Sequence, residues 1–294
     1  PSSSQQSPRR SPRTSPTVVT IGRDLDTLMS TESPRNMLSK SRALRDIMQT
    51  LFPHALSKSK TCAELDMWFG GRNYPRVVRC QVLWKHPDAS MSFDSATTWA
   101  SSRSTSQLMA SMNVNVASDV PVLAYVSRSN LSHIRNNCFR ISSGPGRGPN
   151  EPVRRLQKLR SKNLLPSNLD EDQYFVAVMV AMAQHSVYAD GPKSANFVPR
   201  DVKVHLLTTS EEDEAFIVYT ATIPAAFLSM FHEPHKAPEG DAQVHIEYTH
   251  VPIWPVLGLK ERLGQVLGRD VVGSFDETNL EMFDDGELTP IPEA

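Results

Sequence analysis

Ten consecutive residues, Tyr174 to Ala183 (YFVAVMVAMA), carry no strongly polar group in a chain that is only 39% hydrophobic. Asp170, Glu171 and Asp172 precede the run, and Gln184 and His185 follow it. A bilayer-spanning helix needs about 20 apolar residues, so the run is too short and no membrane span is expected. Ser167 and Asn168 are good helix caps, and Glu171 stands at capping-box spacing from Asn168. The three acids suit the positive end of a helix dipole, and Asp190-Gly191-Pro192 marks a stop. The pattern predicts a helix over 169–188, apolar all round and therefore covered all round.

The rest of the chain alternates between two periods. Leu44, Ile47, Met48 and Leu51 recur at helical spacing from Ser41 until Pro53. An aromatic turn is predicted at Trp68-Phe69-Gly70-Gly71, and strands at Val77–Trp84 and Val120–Ser127. Between those strands the Ser/Thr-rich stretch 89–118 reads as a long loop with a short helix near 107–112. A basic helix, EPVRRLQKLRSKN, precedes the apolar one. DVKVHLLTT and AFIVYTATI flank the acidic turn SEEDE and read as an antiparallel hairpin. Pro224 opens a short helix, Val244–Val251 is a further strand, and Leu257–Leu267 is a last amphipathic helix.

These elements predict an α+β fold, with an antiparallel sheet of hairpins packed on a central buried helix and disordered termini. The expected boundaries are a Ser/Pro/Arg-rich disordered tail at 1–40, core segments at 41–141 and 153–269, a Gly/Pro linker loop at 142–152, and an acidic tail at 270–294. The N-terminal residues are basic but lack the apolar stretch of a secretory leader.

Composition sharpens this picture in two ways. The cysteines Cys62, Cys80 and Cys138 are widely spaced, with no CxxC pair, which fits a reducing compartment rather than a disulfide framework. The net charge of −1 hides a division: residues 1–200 hold 26 Lys+Arg against 14 Asp+Glu, and residues 201–294 hold 5 against 18. Such a split speaks to partners rather than to fold.

The sequence has no GxSxG, GxxxxGK[ST], HExxH or EF-hand loop. In VVTIGRDLDTL, Asp24 and Asp26 have a phosphatase-like DxD spacing after an apolar stretch, against the plainer reading of a surface turn. Asp190 with Asp201 and Lys203 offers a nuclease-like set, two acids for a metal and a lysine beside the attacking water. The plainer reading makes Asp201 and Lys203 the solvent side of a strand. His232, His235, His245 and His250 fall within a short stretch and are zinc-ligand candidates, although Pro234 between the first two is poor ligand geometry. No cofactor is expected.

Basic features carry more. Arg154, Arg155, Lys158, Arg160 and Lys162 lie within nine residues. With Val153, Leu156 and Leu159 as the inward stripe, these cations face water, ready for an acidic protein or a nucleic-acid backbone. No aromatic residues interleave them for base stacking. Ser7, Ser11 and Ser15 each precede a proline, a pattern for proline-directed phosphorylation.

The succession YFVAVMVAMAQ, DVKVHLLTT, an acidic hairpin loop and YTATIPAAFLSMF resembles uncharacterised proteins of filamentous fungi over about residues 171–255. The resemblance implies no activity and no functional residues. The sequence therefore predicts a non-enzymatic intracellular interaction protein, nuclear or cytoplasmic, with a metal-dependent hydrolase or degenerate nuclease-like domain as the alternative.

Overall fold

The computed structural model describes residues 15–30, 37–85, 120–139, 144, 148, 150–188 and 196–274. Its fold is α+β, built on one six-stranded sheet. Two helices come first, α1 (Pro16–Met29) and α2 (Met37–Leu51), followed by β1 (Ser59–Phe69), β2 (Arg72–Lys85) and β3 (Pro121–Tyr125). Next are α3 (Arg128–Asn137), α4 (Glu151–Lys162) and α5 (Gln173–Val187), with a single 3-10 turn at Leu169–Glu171 before α5. The chain continues through β4 (Val202–Ser210), β5 (Ala215–Ile223), α6 (Ala225–His232), β6 (Ile246–Pro252), α7 (Leu259–Leu267) and α8 (Arg269–Val272).

Strand order in the sheet follows the chain, β1 to β6. All pairs are antiparallel except β3 with β4, which run parallel with Leu123 opposite His205. The predicted hairpin is present, with Val202 opposite Ile223 and Ser210 opposite Ala215. The predicted aromatic turn is shorter than expected, because Trp68 and Phe69 belong to β1. The turn itself is Gly70-Gly71, both at positive φ (60° and 71°), the conformation that suits a two-residue hairpin.

Side chains alternate across the sheet. Along β5, Phe216 and Val218 enter one core with α1, α2, α7 and α8, while Ile217, Tyr219, Ala221 and Ile223 enter the other with α5. The expected central helix is there, buried without interruption from Val178 to Gln184, but it is not covered all round: Val176 is 39% exposed. Its start differs from the prediction. Asp172, not Asn168, caps α5, accepting from the Tyr174 amide at 2.9 Å, while Asn168 caps the preceding 3-10 turn through Asp170 N.

Three boundaries need correction. Residues 16–29 and 37–40, expected within a disordered tail, belong to α1 and the first turn of α2, and Ile21, Leu25, Leu28 and Lys40 are buried. This places Asp24 and Asp26 in a helix, neither after a strand nor in a turn. Residues 151–152, assigned to the linker, are the first turn of α4. Residues 270–272, assigned to the acidic tail, belong to α8, where Val271 and Val272 are buried. The predicted loop and short helix over 89–118 lie outside the described residues. No helix among those described is long and apolar enough to cross a membrane.

Candidate functional site

Helix α4 begins with Glu151 and Pro152 and ends with Arg160 and Lys162. Acid at the start, proline in the first turn and cations at the end all favour helix at this position. Its packing differs from the predicted stripe. Ser161 is buried and Val153 and Gln157 are half-buried, an i, i+4, i+8 line. Leu156 is 45% exposed and Leu159 63% exposed, and Leu164 and Leu165 just beyond are exposed too. The leucines thus share the outer surface with the cations.

Beside α4 lies an open, mainly apolar cleft of about 630 Å³, lined by Asn136 of α3 together with Arg155, Lys158, Leu159, Lys162 and Leu165. Arg154 and Arg155 lie 3.8 and 3.7 Å from Glu151 on the same exposed helix face, separations that contribute little. Lys158, Arg160 and Lys162 have no ion-pair partner among the described residues. The five predicted cations therefore stay together on one helix, largely free of internal acids.

The arginines of α3 behave oppositely. Arg128 pairs with Asp170, and Arg135 grips Asp172 with both terminal nitrogens, at 2.5 and 2.6 Å. The Arg135 guanidinium is held above its ordinary value by its hydrogen bond to Asp172. These enclosed pairs tie α3 to the start of α5, and α4 packs on α3. The cationic surface thus stands on an anchored support.

Two members of the nuclease-like set have other partners. The Asp201 carboxylate accepts from the Ala225 amide at 2.8 Å and so holds the first turn of α6. Lys203 instead pairs with Asp270 at 2.9 Å, and Asp190 lies outside the described residues. The histidines also go to separate places. His232 stacks on Phe197 with ring centroids 4.4 Å apart and meets the Tyr188 hydroxyl at 3.0 Å. His250 lies 3.2 Å from Asp170 and 3.8 Å from Asp213, while His235 and His245 are exposed. No group of three or more His, Cys, Asp or Glu side chains among the described residues is placed to share a metal ion. Ser15 occupies the cap position of α1 with its hydroxyl enclosed and unpartnered. Ser7 and Ser11 lie outside the described residues.

One polar chain was not foreseen from the sequence. His205 on β4 is 2% exposed. Its Nδ1 lies 3.1 Å from Thr220 Oγ1, and its Nε2 lies 3.4 Å from an Asp270 carboxylate oxygen. Burial lowers the imidazole's pKa, against the pull of Asp270. The neutral tautomer that satisfies both contacts donates from Nε2 and accepts the Thr220 hydroxyl at Nδ1. Hydroxyl, imidazole and carboxylate stand in the order of a nucleophile relay, but the exposures are reversed. Asp270 is 48% exposed and the imidazole is sealed, so this chain ties α8 across β4 and β5 rather than offering a reactive hydroxyl. In the sequence His205 and Thr220 do not stand out from the other polar residues of these strands, Lys203, Thr208, Thr209 and Thr222.

Burial pushes the Cys80 thiol up to about 12, and all three cysteines are unbridged. The Tyr219 hydroxyl is enclosed without a partner, and burial raises its pKa, with the Asp170 charge adding to the effect. Cys80 lines a cleft of about 550 Å³ beside Cys62, Arg79 and Tyr174, but it is only 2% exposed and burial disfavours its thiolate. Among the described residues, α4 presents cations and exposed leucines together on one face. No family model matches the chain, and comparison with curated proteins gives no match.

Proposed function

We propose that this is a non-enzymatic interaction protein of the cell interior, nuclear or cytoplasmic, whose binding face is the outer surface of α4. The observation that carries this reading is the exposure of Leu156 and Leu159 among Arg155, Lys158, Arg160 and Lys162. Cations alone would suit phosphates, and their binding would weaken steeply with salt. Exposed leucines beside a cleft gain nothing from phosphates, whereas a protein segment mixing acids with apolar side chains satisfies both features. The resemblance over 171–255 assigns no role to any residue and adds nothing to this choice.

The test uses the full chain, a fluorescent acidic peptide of Glu and Leu, and a 20-base-pair DNA duplex as probes. The peptide is expected to bind and to weaken at least tenfold in two variants. One combines Arg154→Glu, Arg155→Glu and Lys158→Glu, and the other combines Leu156→Ser with Leu159→Ser. Peptide binding indifferent to the leucine pair, or DNA bound in preference, would overturn the reading in favour of phosphate binding.

A further inference from the structure

Resting on that reading of α4, we propose that its cleft is occupied by residues 275–294 of the same chain. Charge and apolar content give the first argument. Residues 1–274 hold 31 Lys+Arg against 25 Asp+Glu, a net of +6, whereas residues 275–294 hold no base and seven acids, a net of −7. Phe275, Leu280, Met282, Phe283, Leu288 and Ile291 are interspersed with those acids. That mixture of carboxylates and large apolar side chains matches the mixture of ammonium or guanidinium groups and leucines on α4. It also gives the unpaired Lys158, Arg160 and Lys162 their counter-charges.

Reach gives the second argument. The described fold ends at Ser274, after α8. Twenty further residues extend up to about 66 Å at roughly 3.3 Å each, while a folded body of about 220 residues has a radius of gyration near 17 Å. Asp284 to Glu287 stand 10 to 13 residues beyond Ser274, up to about 33–43 Å of extended chain, about the diameter of such a body. Tethering decides between this chain's own segment and that of a second copy. A short flexible tether gives a local concentration in the millimolar range, far above the micromolar concentration of separate chains. Occupation within one molecule wins wherever the segment spans the distance from Ser274 to α4. The bound segment then competes with any external acidic partner, so the same charge match that builds the site also holds it shut.

Carbodiimide coupling tests this directly, because it joins carboxylates to amines only when they touch. The full chain at low micromolar concentration is expected to give links from Lys158 or Lys162 to acids between Asp276 and Glu287, within the monomer. These links should disappear when Leu156 and Leu159 are both changed to Ser. Links confined to dimers, or to lysines elsewhere, would overturn the proposal. A second readout keeps its failure distinct from that of the binding face. In a full chain with Asp284→Asn, Asp285→Asn and Glu287→Gln, the Glu/Leu peptide should bind at least tenfold more tightly than in the wild type. Equal binding to both chains would reject self-occupation and leave the face standing. Binding to neither would reject the face itself.

Discussion

A glutamine side chain has the same donor and acceptor as a peptide group, and Gln184 uses both on Trp68. Its Oε1 accepts from the Trp68 amide and its Nε2 donates to the Trp68 carbonyl, each at 2.9 Å and fully enclosed. The side chain behaves as a short piece of neighbouring strand laid against β1. In Gln184→Leu both backbone groups lose their partner at once. The expected cost is about 2–4 kcal/mol, measured as a lower urea midpoint at unchanged slope; a loss below about 0.5 kcal/mol would show that water replaces the amide. From sequence, Gln184 marked only the end of an apolar run, because its partner lies 116 positions away. The same limit hid the Lys203–Asp270 pair and the Asp201 cap, whose partners come from other elements. Residue types were legible; pairings set by tertiary approach were not.

Elements were more legible than contacts, and the misses have physical reasons. The apolar run became α5 because nothing in it competes with helix, while its cap moved to Asp172, whose carboxylate also meets Arg135. Helix α1 was overlooked because its apolar residues follow a Ser/Pro/Arg tract. Yet Ser15-Pro16 is a helix start, and Ile21, Leu25 and Leu28 are one face of a helix. In α4 the apolar line at 153, 156 and 159 fits helical periodicity, but the buried line runs through Ser161 instead. Pattern alone cannot choose between a core stripe and a stripe awaiting a partner. The two make opposite predictions. Leu159 is 63% exposed on the fold, so in the chain carrying Asp284→Asn, Asp285→Asn and Glu287→Gln the further change Leu159→Ser shifts stability by no more than about 0.5 kcal/mol. A buried leucine at that position would cost several times more, and a thermal or urea melt separates the two.

For the whole molecule, long apolar strands and one long apolar helix sufficed to predict the α+β class. The second helical layer was not expected, because α1 and α8 had been placed in tails. The charge division was visible from the start, but its meaning depends on which cations are already paired, and only the fold separates the enclosed Arg128 and Arg135 from the open cations of α4.

The position of β3 has a consequence in time rather than in space. On one side it pairs with β2, which ends at Lys85, and on the other with β4, which begins at Val202. The β1–β2 and β4–β5 pairs each close over a short turn, whereas β3 must be brought in across a long connection on both sides. Closing long loops costs entropy before any contact repays it, and non-local pairing is slow. The middle of the sheet is therefore expected to form last. Pulse-labelled amide exchange during refolding should protect Leu206 and Val218 before Leu123 and Ala124. Simultaneous protection would mean that the sheet condenses in one step. Until β3 arrives, the folding chain holds two half-sheets, each with an unpaired inner edge that only β3 can close.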